Sequence, residues 1–195
     1  MKKILLASLL AFSFTTAAVA SEDGKGAYVG LAYGSTAFAN GDGTLNVKED
    51  TDSGYKFYAG YQFNKIVAVE ASYTDYGTFT FSDNSTLSGT AIGVAANVGY
   101  NFLDGQLRPF GLLGLSSLSL DQGNIQAYTY DDSLLSVTYG LGIEYSPKVL
   151  KGLGFRAMWS VDAYSIEEKD ATTGVTSNDH VEAFGMFSVA AQYKF

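Results

Sequence analysis

The sequence contains no cysteine, only two prolines and one histidine, and a small proportion of charged residues. Without cysteine the chain cannot form a disulfide scaffold, a thiolate metal site or a cysteine nucleophile. A single histidine excludes a metal site built from several histidines. The net charge of −8 argues against nucleic acid as a partner, because its phosphates are bound through clusters of Lys and Arg. These absences remove several common classes of metal, redox and nucleic-acid-binding protein.

The composition instead favours a chain of many strands. Of 195 residues, 22 are Gly, 14 are Tyr and 13 are Phe, and 16% are charged. The length suits one domain, or at most two small ones. A hydrophobic content of 47% is too high for a disordered chain. Gly and aromatic enrichment with so little charge is unusual for a soluble enzyme.

The first 20 residues have the pattern of a secretory signal. Lys2 and Lys3 precede an apolar run, and Ala18-Val19-Ala20 forms a cleavage motif before Ser21. The apolar run is shorter than the ~20 residues that a membrane-spanning helix needs. We therefore predict a signal peptide at 1–20, cleaved near Ala20 and Ser21, and a single β-barrel domain at 21–195.

Residues after the signal alternate between apolar and polar with a period of two, and helical periodicity is hard to find. Strands are predicted near 26–38, 54–63, 66–79, 87–102, 107–120, 133–145, 153–166 and 180–195. Short connections alternate with long ones, and the long ones are polar and acidic. Such a meander predicts an antiparallel barrel with short turns at one end and long loops at the other.

Each predicted strand except 107–120, whose faces do not sort, has one apolar face and one polar or small-residue face. A soluble barrel of the lipocalin type would turn the apolar face inward. Two features favour the opposite orientation. Aromatic residues collect near strand ends on the apolar face, as in the girdles of membrane barrels, and small residues suit a crowded lumen. We therefore predict an all-β fold, an eight-stranded antiparallel up-and-down transmembrane β-barrel.

Four segments, in order along the chain, carry a resemblance to a known family. They are Gly60 to Gly77, Arg108 to Gly114, Gly140 to Tyr145, and the ending Ala191-Gln192-Tyr193-Lys194-Phe195. Together they resemble the small bacterial outer-membrane barrels, a group that includes the OmpA transmembrane domain and OmpX-type surface proteins. The resemblance implies residence in the outer membrane of a Gram-negative bacterium, among its lipid and lipopolysaccharide. It also implies that Tyr193 and Phe195 form the signal that the barrel-assembly machinery recognises.

A balanced set of charges falls on the predicted inner face. These are three cations and three anions: Lys56, Glu70, Arg108, Glu144, Arg156 and Asp162. Buried charges must pair, since an unpaired one costs several kcal/mol. One interpretation is a static ion network that fills the lumen. The other is a gate, in which exchange of partners opens a narrow pore.

No catalytic site, metal site or cofactor is predicted. The sole histidine, His180, could belong to a lipid A-modifying enzyme of similar fold, but it has no serine at a suggestive spacing. Asp50-Thr51-Asp52-Ser53-Gly54 lacks the later Glu of a calcium-binding EF-hand loop. Both segments are more simply explained as solvated surface.

These observations predict a structural and surface-interaction protein rather than an enzyme. Its lumen would be filled by polar and ion-paired side chains, and its acidic extracellular loops would contact a ligand or surface. The alternative is a narrow channel for small or apolar solutes, as in OmpW-like barrels. A lipid A-modifying enzyme is the least favoured of the three.

Overall fold

Eight antiparallel strands close into one barrel in the computed structural model of the chain. The structure describes residues 24–39, 52–80, 86–123, 133–169 and 176–195, with the side chains of 122–123, 166–169 and 176–180 excepted. The strands are β1 (Gly26–Ala39), β2 (Ser53–Gln62), β3 (Val67–Thr80), β4 (Thr86–Gly99), β5 (Leu107–Gly123), β6 (Leu134–Tyr145), β7 (Leu153–Lys169) and β8 (Thr176–Lys194). The predicted signal peptide lies outside the described residues and stays a prediction.

Every strand pairs with its neighbour in the sequence, and β1 closes the ring against β8. The closing register runs from Tyr28 opposite Lys194 to Ala39 opposite Ala183. Closure gives each strand two hydrogen-bonded neighbours, so the barrel has no open edge. The predicted fold class is confirmed, and the strand bounds agree with the predicted ones to within a few residues.

The two ends of the barrel differ. Residues 63–66, 100–106 and 146–152 make the short connections, and both ends of the described chain lie with them at what we call the short-turn end. The long acidic connections predicted for the opposite, long-connection end fall mostly outside the described residues. No helix among the described residues is long and apolar enough to cross a bilayer.

Large apolar side chains cover the outside of the barrel. Leu135, Leu141, Leu113 and Ile92 are each more than 60% exposed, whereas charged Lys56 and Glu70 are buried inside. This arrangement is the reverse of a soluble barrel and matches a wall that faces lipid. The predicted assignment of the apolar faces to the outside is confirmed.

An aromatic belt surrounds the outside of the short-turn end. Its members are exposed Tyr or Phe side chains near strand ends: Tyr61, Phe63, Tyr100, Phe102, Tyr145, Tyr193 and Phe195. Three pairs of them meet edge to face with ring centroids 5.1–5.2 Å apart. Aromatic girdles of this kind lie at membrane interfaces. The belt therefore fixes the level of one membrane boundary.

The faces of β5, which the sequence left unassigned, are clear in the structure. Leu113 and Leu115 point outward and are exposed. The inward residues alternate with them and are buried: Arg108, Phe110, Leu112, Ser116 and Leu118. Because large apolar side chains occupy both faces, hydropathy alternation alone cannot distinguish the two sides of this strand.

Candidate functional site

An ion cluster occupies the lumen towards the short-turn end. Arg156 of β7 donates to the Glu70 carboxylate of β3 at 2.8 Å and lies 3.6 Å from Glu144 of β6. Arg108 of β5 reaches Glu144 from the other side, also at 3.6 Å. Glu144 is opposite Arg108 in one strand pair and opposite Arg156 in the next, so the barrel register itself brings these three together. We call Glu70, Arg108, Glu144 and Arg156 the ion cluster.

Aromatic rings hold the Arg156 guanidinium in place. Its central carbon lies 4.3 Å from the centroid of the Tyr58 ring and 4.7 Å from that of Phe110. The Tyr28 hydroxyl donates to Glu70 at 3.0 Å, so the carboxylate has a second donor. Cation–π contacts are strengthened when the cation is desolvated, and Arg156 is 3% exposed. Arg156 is therefore fixed by charge, hydrogen bonding and packing at once.

Arg108 and Glu144, two members of the ion cluster, line a polar cavity at the short-turn end. The terminal nitrogens of Arg108 donate to Asn97 Oδ1 at 2.9 Å and to the Ile66 carbonyl at 3.0 Å. The cavity has a volume of about 750 Å³, and its lining includes Arg108, Gln62 and Lys194. Lys194 donates to Gln62 Oε1 at 2.8 Å. The short-turn end of the lumen is thus a polar cavity bounded by the ion cluster.

Asp162 has no cation within 4 Å among the described residues. Its carboxylate accepts hydrogen bonds from the hydroxyls of Tyr76, Thr138 and Ser116, the last at 2.7 Å. Lys56 is also buried, and it forms no ion pair of 4 Å or less with a carboxylate in the described part of the chain. Three hydroxyl donors therefore hold the Asp162 carboxylate in the described lumen.

Of the six charges predicted on the inner face, all six are buried in the lumen and four join in the ion cluster. Lys56 and Asp162 stand outside it. Tyr193 and Phe195 lie on the outer belt with their rings 5.2 Å apart. These positions describe geometry only, and the roles of a gate and of an assembly signal stay predictions.

A second lumen layer was missed by the sequence reasoning. Phe184 of β8 is fully buried, with its ring centroid 5.0 Å from that of Phe38 and 5.1 Å from that of Tyr76. Phe79 and Tyr164 also contact this ring, at 5.8 and 6.1 Å. We call these five rings, with the buried Leu87, Ala91, Leu118 and Met186 and the partly buried Leu120 and Leu134 packed among them, the aromatic cluster. Part of the lumen is therefore apolar, in addition to the polar and ion-paired side chains that the sequence predicts.

The regular alternation of inner and outer residues along β8, which we call strand parity, could have identified this layer. In the last strand the predicted inner residues Ser188, Ala190 and Gln192 are even-numbered, and extending that series backwards reaches Met186 and Phe184. The predicted inner face did not include these two residues. Parity, which is geometric, was a better guide here than hydropathy.

Glycines on neighbouring strands make room for the lumen aromatics. A Cβ atom at Gly30 would lie 2.2 Å from the Tyr58 ring, and one at Gly142 would lie 2.5 Å from the Phe110 ring. Each ring faces its glycine directly in the strand register. The ring fills the space above the glycine, as in the aromatic rescue of glycines in sheets.

Gly30→Ala should therefore destabilise the barrel by about 1–3 kcal/mol, because the added methyl group displaces Tyr58 from the packed lumen. The measurement is the free energy of unfolding in lipid vesicles. Gly111→Ala is the matched control, since a Cβ there lies 3.7 Å from its nearest neighbour. Equal effects of the two substitutions would contradict this account.

The described lumen side chains contact one another and fill the space inside the barrel. Within the described residues, no three His, Asp or Glu side chains are grouped so as to hold a metal ion. The side chain of His180 lies outside the described set. The Asp52 carboxylate is engaged by the backbone amides of Ser53, at 2.8 Å, and of Thr78.

Comparisons with known proteins agree with this architecture. A family model described as the outer membrane protein beta-barrel domain matches residues 4–195. Similar solved structures include Neisserial surface protein A, at 16% identity and a TM-score of 0.62 over 87% of this chain and 97% of that one. Ail of Yersinia pestis, solved with the heparin analogue sucrose octasulfate, is 18% identical with a TM-score of 0.55, covering 88% and 99%.

The N-terminal barrel of Pseudomonas aeruginosa OprF is 14% identical, with a TM-score of 0.54 over 87% of this chain and 99% of that one. No curated protein matches the sequence. At such identities the solved structures establish the fold, whereas the family model covers almost the whole chain. The chain therefore belongs to the outer membrane protein beta-barrel domain family and is a protein of the cell outer membrane.

Proposed function

We propose that this protein is a structural and surface-contact barrel with a closed lumen, and that it is not an enzyme. The observation that carries the proposal is the filling of the lumen. The ion cluster and the aromatic cluster are both buried and lie at different levels of the barrel. A barrel filled in this way supports the membrane wall and displays its connections, but leaves little room for solute.

Side-chain partners support a static filling. Arg156 lies among Glu70, Glu144, Tyr58 and Phe110, and Asp162 has three hydroxyl donors. For Arg156 or Asp162 to exchange its partners, several buried side chains would have to separate at the same time. Such separation is costly, since each uncompensated buried charge costs several kcal/mol.

Conductance of the mature chain refolded into planar bilayers tests the closed lumen. We expect no discrete openings in the wild-type chain. A shift in mobility on an unboiled gel is the control for a folded barrel. Regular openings in folded protein would contradict the proposal and favour a channel.

The long-connection end is where we place contacts with the cell exterior. The chain carries a net charge of −8, so its field attracts cationic surfaces more than anionic ones. Ail, a similar fold, was solved with a sulfated heparin analogue. Because a sulfated ligand is anionic, we propose the opposite preference for this chain, which is contact with a cationic ligand or surface.

Lipid and the assembly machinery are the other proposed partners. Exposed Leu, Val, Ile and aromatic side chains support contact with outer-membrane lipid and lipopolysaccharide. The aromatic ending supports recognition of Phe195 by the barrel-assembly machinery. Phe195 is accessible on the aromatic belt beside Tyr193.

Phe195→Ala should lower the amount of folded barrel in the outer membrane severalfold while leaving refolding in vitro unchanged. Quantification of the heat-modifiable band in outer-membrane fractions measures the effect. Phe63→Ala is the control, because Phe63 occupies the same belt with a similar exposure, 48% against 43%. If both variants assemble equally well, the signal does not reside in Phe195.

A channel for apolar solutes is the second candidate function. One observation favours it: four members of the aromatic cluster, Phe38, Phe79, Leu120 and Leu134, are only partly buried. An apolar surface of this kind suits a small apolar solute. Uptake of such a solute into proteoliposomes, faster with the barrel than without it, would favour this function over the closed barrel.

A further inference from the structure

Phe184 spans the lumen from one wall to the opposite one. It belongs to β8, and in a ring of eight consecutive strands β4 lies directly across. A Cβ atom at Gly89 of β4 would meet the tip of the Phe184 ring at 3.0 Å. The ring therefore reaches the backbone of the far wall, and glycine at position 89 makes room for it.

The remaining members of the cluster close the space around this ring. They come from seven of the eight strands, with β2 excepted: Phe38, Tyr76, Phe79, Leu87, Ala91, Leu118, Leu120, Leu134, Tyr164 and Met186. Tyr164 stacks on Phe184 with an angle of 16° between the ring planes. Leu118 and Phe184 have no measurable exposure. The cluster thus forms a layer across the lumen.

Both tyrosine hydroxyls of this layer are already hydrogen-bonded. The Tyr76 hydroxyl donates to Asp162, and the Tyr164 hydroxyl donates to Glu182 at 2.8 Å. An ion passing the ion cluster could exchange its hydration for carboxylate or guanidinium groups. In the aromatic cluster the described side chains are rings and alkyl groups, apart from the two tyrosine hydroxyls that carboxylates already engage, and transfer of an unpaired ion into apolar surroundings is very costly.

We infer that the aromatic cluster centred on Phe184 is a second barrier to ions in this barrel, in series with the ion cluster and independent of it. Apolar constrictions block ions by excluding water, even where the space would admit a water molecule. Exchange of partners in the ion cluster would then not open the barrel. The inference rests on the proposed closed lumen, and it names the residues that keep the lumen closed.

The test separates the two layers by conductance in planar bilayers. The background is the double variant Glu70→Ala/Arg156→Ala, which removes a buried pair and keeps the charge balanced. Phe184→Ser is then added to admit water, and Phe184→Leu is added as the matched apolar control. Phe184→Ser alone and the wild-type chain complete the set, with the unboiled-gel shift as the control for folding.

We expect the wild-type chain, the double variant and its Phe184→Leu derivative to be silent. The Phe184→Ser derivative of the double variant should conduct, with ion flux at least ~10-fold above background. Phe184→Ser alone should stay silent, because the ion cluster still blocks the lumen. If a Ser derivative fails to fold, Leu118→Asn in the same layer replaces it, since Leu118 lies on β5 and is equally buried.

Three results would overturn the inference. Conduction by the double variant with Phe184 intact would make the ion cluster the only barrier. Equal conduction with Ser and Leu at position 184 would show that ring volume, rather than water exclusion, closes the layer. Silence in every folded variant would show that other residues block the lumen. Openings in the wild-type chain would instead count against the closed lumen itself.

Discussion

Arg156→Ala is expected to destabilise the folded barrel by about 3–5 kcal/mol, because it leaves Glu70 buried without its closest cation. Glu70 is 2% exposed and lies 2.8 Å from Arg156. The Tyr28 hydroxyl bond at 3.0 Å remains, but it does not neutralise the charge. Loss of the guanidinium also removes its contacts with the Tyr58 and Phe110 rings.

The double variant Glu70→Ala/Arg156→Ala should lose less stability than the two single variants together. With both partners gone, no charge of the pair is left uncompensated, so the remaining cost is lost packing. Unfolding in lipid vesicles can be followed through Trp159, the only tryptophan, whose side chain is 46% exposed on the outer wall. Strictly additive losses would show that the pair is not coupled.

A surface ion pair in the same protein provides the matched control. Lys148 and Asp104 lie 3.2 Å apart at the short-turn end, with both side chains more than half exposed. Lys148→Ala should cost no more than about 1 kcal/mol, because exposed pairs are screened by solvent. A loss as large as that of Arg156→Ala would show that burial does not determine the effect.

The sequence predicted the fold well because two strong constraints act on every strand of a membrane barrel. Lipid requires one face to be apolar, and closure requires a ladder of paired strands. β2 and β6 show both constraints plainly, with exposed residues alternating with buried ones along each strand. The six inner charges were identified for the same reason, since an ionised side chain on an apolar wall would face lipid.

The contents of the lumen were harder to predict. Inner positions tolerate charged, small or aromatic side chains, provided that they fill the space together. Which charges meet depends on barrel register and on side-chain length across the lumen, neither of which hydropathy reports. Arg156 reaches Glu70 from β7 to β3, and Phe184 reaches Gly89 from β8 to β4. Both contacts connect opposite walls, so adjacent-strand reasoning could not supply them.

Leu141→Arg should have the second large effect on stability. It tests which face of the barrel wall is turned towards lipid, rather than what fills the lumen. Leu141 is 67% exposed on the outer face of β6, four residues from Tyr145 of the aromatic belt. A strand rising ~3.3 Å per residue at a tilt of ~40° places it ~10 Å above the belt, near the middle of an apolar band ~25 Å tall. An arginine there should cost about 2–4 kcal/mol in lipid vesicles.

Leu135→Arg provides the depth control on the same strand and face. Leu135 is 74% exposed and lies ten residues from Tyr145, close to the opposite boundary of the apolar band. Its substitution should cost only about 0–1 kcal/mol, because arginine near an interface can reach the polar head groups. Unfolding free energies from Trp159 fluorescence compare the two variants directly. Equal costs would mean that the belt does not mark a membrane boundary, whereas a difference of 2 kcal/mol or so would place Leu141 within the hydrocarbon.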